Sequence, residues 1–326
     1  MLVDGFERIH NYLRISLTEK CNLRCTYCMP EEGIILRDRS SFMNKNEVVA
    51  LAKNFVSLGV NKIRLTGGEP LVCKDAREII FALSKLPVDL LITTNGILVD
   101  QFIECFRKAG IKSVNVSLDT LNSQKFISIS KRNDFEKVIS NIHLLLSNNF
   151  FVKINTVVMR GINENEICDF VELTKNYPLH IRFIEFMPFT GNGWQNEKVF
   201  NQKSILSQIE SEYDFIKLRD EKHGTSKKFK AINHKGTFAI ISTMSEPFCN
   251  DCNRLRLTAD GKMKNCLFSM EEIDLLTPFR KGENISPLIE KCLRLKKEKQ
   301  GGRFVSGNLL MEGTVFENRS MVTIGG

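Results

Sequence analysis

Six short β-branched or apolar runs recur along the first two-thirds of the chain, each followed by a helical pattern. The runs Tyr12–Leu17, Lys62–Thr66, Asp89–Thr93, Lys112–Leu118, Phe151–Met159 and His180–Phe186 read as strands. Helix starts between them are visible. Asn44 with Glu47 three residues on forms a capping-box pattern, and Val48, Leu51, Ala52 and Phe55 follow at helical spacing. Asp75 with Glu78 repeats the device, and so does Asn163 with Glu166; Asp134 opens a helix carrying Val138, Ile142 and Leu145. Gly59 and Gly110 are placed to end helices. Six βα units in a row demand a parallel sheet covered by helices, either doubly wound or curled as a partial barrel. Function is then expected at the C-terminal ends of the strands. A closed eight-stranded barrel needs two more units, and the sequence after Phe186 reads without them.

From about Pro188 the pattern changes. A helix is predicted over Gln202–Tyr213, strands over Phe238–Thr243, Arg254–Thr258 and Lys262–Phe268, and a helix over Ile285–Leu295. Asp260-Gly261 is a hairpin signal between two of the strands. The reading is an α/β unit over 1–200 and a second unit over 201–326. No apolar run reaches the ~18 residues of a membrane span, and Met1 to His10 is too polar for a leader. A cytoplasmic chain is expected, or one in the mitochondrial matrix if the source is eukaryotic. The net charge of +8 favours anionic partners. Runs such as Lys296, Lys297 and Lys299 read as solvated surface.

Ten cysteines are many for a chain expected to stay reduced, so metal binding is the first question. Cys21, Cys25 and Cys28 lie directly after the first strand as C-x3-C-x2-C. Thiolates suit iron–sulfur clusters or zinc; three can hold three corners of a cubane and leave the fourth iron open. Cys249, Cys252 and Cys266 form C-x2-C-x13-C, and the hairpin brings Cys266 back toward Cys252. A zinc ribbon would need a fourth ligand; the nearest histidine upstream, His234, reads as a surface residue. Arg254 and Arg256 share one strand face, with Leu255 and Leu257 on the other. Paired guanidiniums suit a multiply charged anion, although a solvated strand face reads the same way. A basic zinc protein that binds nucleic acid is the alternative of another class, separable by iron analysis.

Together these motifs resemble one family of radical S-adenosylmethionine (SAM) enzymes, the GTP 3′,8-cyclases (molybdenum cofactor biosynthesis protein A). The carriers are the cysteine motif with Tyr27, Leu13-Arg14-Ile15-Ser16, Thr66-Gly67-Gly68-Glu69-Pro70, Thr93-Thr94-Asn95-Gly96 and Asn115-Val116-Ser117-Leu118-Asp119. Ile181-Arg182-Phe183-Ile184-Glu185-Phe186-Met187, Cys249-Asn250-Asp251-Cys252-Asn253-Arg254-Leu255-Arg256 and the closing Gly325-Gly326 complete the set. The resemblance implies a partial (βα)6 TIM-type barrel with a C-terminal extension of hairpins and helices closing its open end. It implies a first [4Fe–4S] cluster on Cys21, Cys25 and Cys28, and a second on Cys249, Cys252 and Cys266. SAM would be contacted by Tyr27, Gly68, Glu69, Ser117 and Met187. GTP would be contacted by Arg14, Lys62, Arg64, Thr93 (or Thr94), Lys153, Arg182, Arg254 and Arg256. Gly325 and Gly326, with the two last arginines, would serve turnover.

The implied reaction removes the ribose 3′-hydrogen of GTP by a 5′-deoxyadenosyl radical, joins C3′ to guanine C8, and needs one further electron. Flavodoxin or ferredoxin would supply electrons, and a cyclic pyranopterin monophosphate synthase would take the product. A monomer or homodimer without membrane or nucleic-acid partners is expected. A peptide-modifying radical SAM enzyme is the runner-up. No P-loop pattern is present, so a triphosphate must be held by side-chain cations. Cys73, Cys105, Cys168 and Cys292 read as ordinary thiols.

Overall fold

The computed structural model describes residues 1–30, 32–34, 37–305, 308–309 and 318–325. Six parallel strands follow one another in order: β1 (Tyr12–Ser16), β2 (Lys62–Thr66), β3 (Asp89–Thr94), β4 (Ser113–Ser117), β5 (Phe151–Val158) and β6 (His180–Glu185). Helices α1 (Lys45–Ser57), α2 (Ala76–Leu83), α3 (Val99–Lys108), α4 (Ser123–Ser130), α5 (Phe135–Ser147) and α6 (Ile167–Asn176) connect them.

Strand alternation divides the sheet into two faces. Leu13, Ile15, Ile63, Leu65, Ile92, Val114, Val116, Ile181 and Phe183 point outward and are buried in one core with Phe55 of α1, Ile80 of α2, Phe106 of α3 and Phe170 of α6. The opposite face is largely polar, with Tyr12, Arg14, Ser16, Arg64, Thr66, Asn115, Lys153, Asn155 and Arg182, although Leu91, Val157 and Ile184 also lie on it. A TIM-type barrel normally fills this inner face with apolar side chains; here it is left for a ligand.

The later strands extend the same sheet at both edges. β7 (Phe215–Lys217), β8 (Lys227–Ala231) and β9 (Thr237–Ile241) join beyond β6, after α7 (Gln202–Glu210). β10 (Arg254–Leu257), β11 (Lys262–Lys264) and β12 (Ile273–Asp274) join beyond β1. β9 is parallel to β6, and β10 is parallel to β1. The sheet therefore has two more parallel strands than the βα pattern predicted. They escaped that pattern because no α-helix separates them: residues 242–253 run from the end of β9 to the start of β10. Among the described residues β9 and β10 do not pair, and the barrel stays open. The β10–β11 hairpin turns at Asp260-Gly261 as expected.

The Asn44–Glu47 capping box is present in full. Asp75 makes no cap hydrogen bond at α2, because its backbone (φ −96°, ψ 17°) is not extended as a cap requires. Asn163 does not cap either. Its side chain accepts from Met159 N and donates to the Asp119 and Val157 carbonyls, holding the end of β5. Among the described residues no helix is long and apolar enough to cross a membrane.

Candidate active site

The first cysteine loop is built by close packing against the turn after β2. Gly68 N donates to Thr18 O (2.7 Å) and Glu69 N to Lys20 O (2.9 Å). A Cβ on Gly68 would lie 2.4 Å from Lys20 O, and one on Gly67 2.7 Å from Thr18 O. The glycine pair is thus a contact requirement between two loops. Glu69 is buried and accepts from Leu71 N, the Thr94 hydroxyl and Asn95 N, joining this turn to the end of β3. Burial pushes its carboxyl up to about 7 against those bonds.

Cys21, Cys25, Cys28, Tyr27, Gly68, Glu69, Ser117 and Met187 all line one cavity of about 170 Å³ at the C-terminal strand ends. Burial pushes the Cys21 thiol up to about 11, and Cys25 and Cys28 well above the usual thiol range. Thiolates in such a place need a cationic partner beside them. Three half-buried soft donors lining one cavity fit an iron–sulfur cluster.

A second cavity of about 170 Å³ is lined by Cys249, Cys252 and Cys266 together with Arg14, Arg182, Arg254 and Arg256. Thr93, Asn155, Ile184, Met187 and Met321 border both cavities, so the two cysteine sets face a common space. Burial opposes ionisation of Cys252, but Arg254 and Lys296 outweigh it and bring the thiol down to about 6. Arg254 Nη2 reaches its sulfur at 3.4 Å. Among the described residues no three His, Cys, Asp or Glu side chains converge as one bound metal ion requires.

Register explains the concentration of charge. Arg14 on β1 is the partner of Arg64 on β2 and of Arg256 on β10, so three arginines stand abreast. Like charges directly opposite destabilise a sheet. Burial pulls the Arg14 and Arg182 guanidiniums down to about 10 and 9, which still leaves them charged at neutral pH. Arg14 Nε and Arg182 Nε and Nη2 are buried without a hydrogen-bond partner, as are the side-chain oxygens of Asn115 and Asn155. Arg64 donates to Tyr12 OH (2.6 Å), Ile92 O and Thr93 Oγ1. Thr93 faces this basic chamber, whereas Thr94 is spent on Glu69. At the opposite strand ends a third cavity, about 790 Å³, takes in Lys62, Arg64 and Lys153 along with Arg14 and Arg182.

The C-terminal segment enters the same space. Gly325 (φ +84°) sits where a Cβ would lie 2.8 Å from Thr66 Oγ1 and 2.9 Å from Ser16 Cβ. Its carbonyl accepts a hydrogen bond from Arg256 Nη1. Gly326 lies outside the described residues.

Sequence reading missed Tyr12, Asn115 and Asn155. The period-two rule finds them, since each lies two residues from an assigned one (Arg14, Ser117, Lys153). Two surface expectations are corrected. His234 is buried and bonded to Thr174 Oγ1 at 2.8 Å. Lys296 is 5% exposed, and its ammonium is bonded to Asn265 O behind the second cysteine set. Neither burial is local: the partners lie 60 and 31 residues away, in α6 and just after β11.

The pattern described as the Radical SAM superfamily matches residues 15–174, and that described as Molybdenum Cofactor Synthesis C matches residues 179–302. A protein of Arabidopsis thaliana named "GTP 3′,8-cyclase, mitochondrial" is 44% identical over 333 residues, spanning 100% of this chain and 84% of that protein. "Molybdenum cofactor biosynthesis protein 1" of Dictyostelium discoideum is 43% identical over 335 residues, spanning 100% of this chain but 52% of that protein, about half its length. Among solved structures, Streptococcus suis SuiB bound to its precursor peptide shares the fold, with a TM-score of 0.61 at 15% identity over 80% of this chain and 60% of that one. With cysteines and arginines lining its cavities and this identity over its full length, the chain is a member of the GTP 3′,8-cyclase family, within the radical SAM superfamily.

Proposed function

We propose that the chain converts GTP to 3′,8-cyclo-7,8-dihydro-GTP, the first step toward molybdopterin. The observation that carries this reading is the row Arg256–Arg14–Arg64 with Arg182 beside it, where buried guanidinium nitrogens of Arg14 and Arg182 are left without hydrogen-bond partners, and the sequence has no P-loop. Such a row suits a triphosphate and little else of that size.

Family membership brings a [4Fe–4S] cluster and SAM; bound, they supply a 5′-deoxyadenosyl radical that takes the ribose 3′-hydrogen. Cys21, Cys25 and Cys28 would hold that cluster, and Tyr27, Gly68, Glu69, Ser117 and Met187 would seat SAM. Cys249, Cys252 and Cys266 would hold a second cluster against the guanine. The chain's own residues orient and enclose. Arg14, Lys62, Arg64, Lys153 and Arg182 grip the triphosphate, and Thr93 and Arg254 bound the nucleoside. Arg256 holds the Gly325 carbonyl at the chamber, and Arg256 with Gly325 and Gly326 would serve turnover. A flavodoxin or ferredoxin as reductant and a cyclic pyranopterin monophosphate synthase as recipient complete the proposal.

Anaerobic reconstitution with SAM, dithionite and GTP tests it. 5′-Deoxyadenosine should form in step with GTP and a cyclised nucleotide should appear; GTP-independent cleavage without that product would sink the reading. Cys266→Ala should keep the first cluster and lose cyclisation by at least about a hundredfold, the scale on which misplacement in a site acts.

Lys153 gives a pH signature. Burial, with Arg182 and Arg64 nearby, lowers its ammonium to about 8. Triphosphate favours the charged form, so binding above pH 8 takes up a proton. GTP affinity measured by calorimetry without SAM should be about tenfold weaker at pH 9 than at pH 7. Lys153→Met should remove that component and bind more weakly at both pH values.

A further inference from the structure

The N-terminal residues 1–11 form a hook that lies along the second cysteine loop. His10 N donates to Leu2 O, and Glu7 N to Asp4 O. Arg8 sits at its centre, 9% exposed. The Asp4 carboxylate accepts from Arg8 Nε at 2.7 Å and from His10 Nε2 at 2.9 Å, and also takes Phe6 N and Arg8 N. The guanidinium then points away from the hook. Nη1 donates to Cys249 O (2.8 Å) and Glu298 O (2.7 Å), and Nη2 to Lys297 O (3.1 Å). The Phe6 ring covers it, 4.9 Å from centroid to Cζ.

Two chain segments about fifty residues apart are stapled here by one planar fork. Behind Cys249 the second segment also donates Gln300 N to its sulfur, at 3.3 Å. Cys249 opens a three-residue 3-10 turn, Cys249–Asp251, in the connection that crosses between the sheet edges. That connection has no ladder of its own to fix it. A lysine cannot replace the fork, because an ammonium is a point donor and cannot span three carbonyls set apart.

We propose that Arg8 is the positioning residue of the second cysteine set: it fixes the Cys249 backbone against residues 297–300, so that the three thiols are held in cluster-binding geometry. This rests on reading that set as cluster ligands. Arg8 touches neither nucleotide nor SAM; it acts through Cys249.

The test is the full chain carrying Arg8→Gln, reconstituted anaerobically beside the wild type and Cys266→Ala. Wild type should carry about eight irons per chain, as two four-iron clusters require. Arg8→Gln should carry about four, keep the SAM-sensitive electron paramagnetic resonance signal of the reduced first cluster, and lose the GTP-sensitive one. In the metal-free chains, amide exchange over residues 249–253 should be at least tenfold faster in the variant. A folded Arg8→Gln chain with both signals and unchanged exchange overturns the inference. If wild type and Cys266→Ala hold equal iron, the second-cluster reading fails instead, and the inference falls with it. Should Arg8→Gln not fold, Arg8→Lys takes its place: partial or complete loss of the second signal with the first retained supports the staple, and full retention overturns it.

Discussion

Gly68→Ala should give a folded chain that fails to assemble its first cluster and has lost at least about a thousandfold in activity. The added methyl would lie 2.4 Å from Lys20 O, 2.7 Å from Lys20 C and 2.8 Å from Glu19 O. All three are backbone atoms, so no rotamer change relieves the contact. The turn or the cysteine loop must move, and the Gly68 N to Thr18 O bond goes with it. Overpacking of this kind costs about 1–3 kcal/mol, which the outward core can absorb. Function cannot, because a shift of about 1 Å at a reacting centre costs about a hundredfold by itself, and here ligand geometry is disturbed as well. Iron content, SAM cleavage and far-ultraviolet circular dichroism together check it. A fully loaded variant that cleaves SAM normally would mean that the cysteine loop is positioned by something other than this contact.

Arg256→Gln is expected to have the second large effect. Arg256 is 7% exposed, stands abreast of Arg14, and bonds the Gly325 carbonyl. Its removal weakens the polyanion site and frees the tail in one stroke. Truncating one member of a buried charged interaction costs about 2–5 kcal/mol, or about 30-fold to 4,000-fold in kcat/KM. Amide exchange over residues 321–325 should rise in the same variant. Unchanged exchange with lowered turnover would assign Arg256 to the nucleotide alone; unchanged turnover would remove it from the site.

Much of this was readable because the first six strands are local objects. Runs such as Ile63-Arg64-Leu65-Thr66 announce themselves, and the motifs sit where strands end. Inner and outer faces were also readable in principle, since Tyr12, Asn115 and Asn155 follow from alternation alone. What escaped was non-local. Asn163 and Glu166 look like a helix start, yet their side chains are taken up by Val157 at the end of the preceding strand and by Asp119, Thr120 and Leu121, more than forty residues away. The short α4 was hidden by its mixed composition, SQKFISIS. Arg8 looked like one charge in a polar terminus; only the return of residues 249 and 297–298 gives it a role.

The arginines abreast across β10, β1 and β2 have a consequence for the empty enzyme. Most barrels cohere from the inside, through packed hydrocarbon. This one carries a self-repelling row inside and coheres mainly from its outer shell and from the apolar cluster around Phe189, Met244 and Phe268, so part of the missing cohesion arrives with the substrate. Any polyanion that enters contributes to folding free energy through its affinity for the folded state. Phosphate and sulfate, ordinary buffer components, should thus raise the melting temperature of this chain and compete with GTP at once.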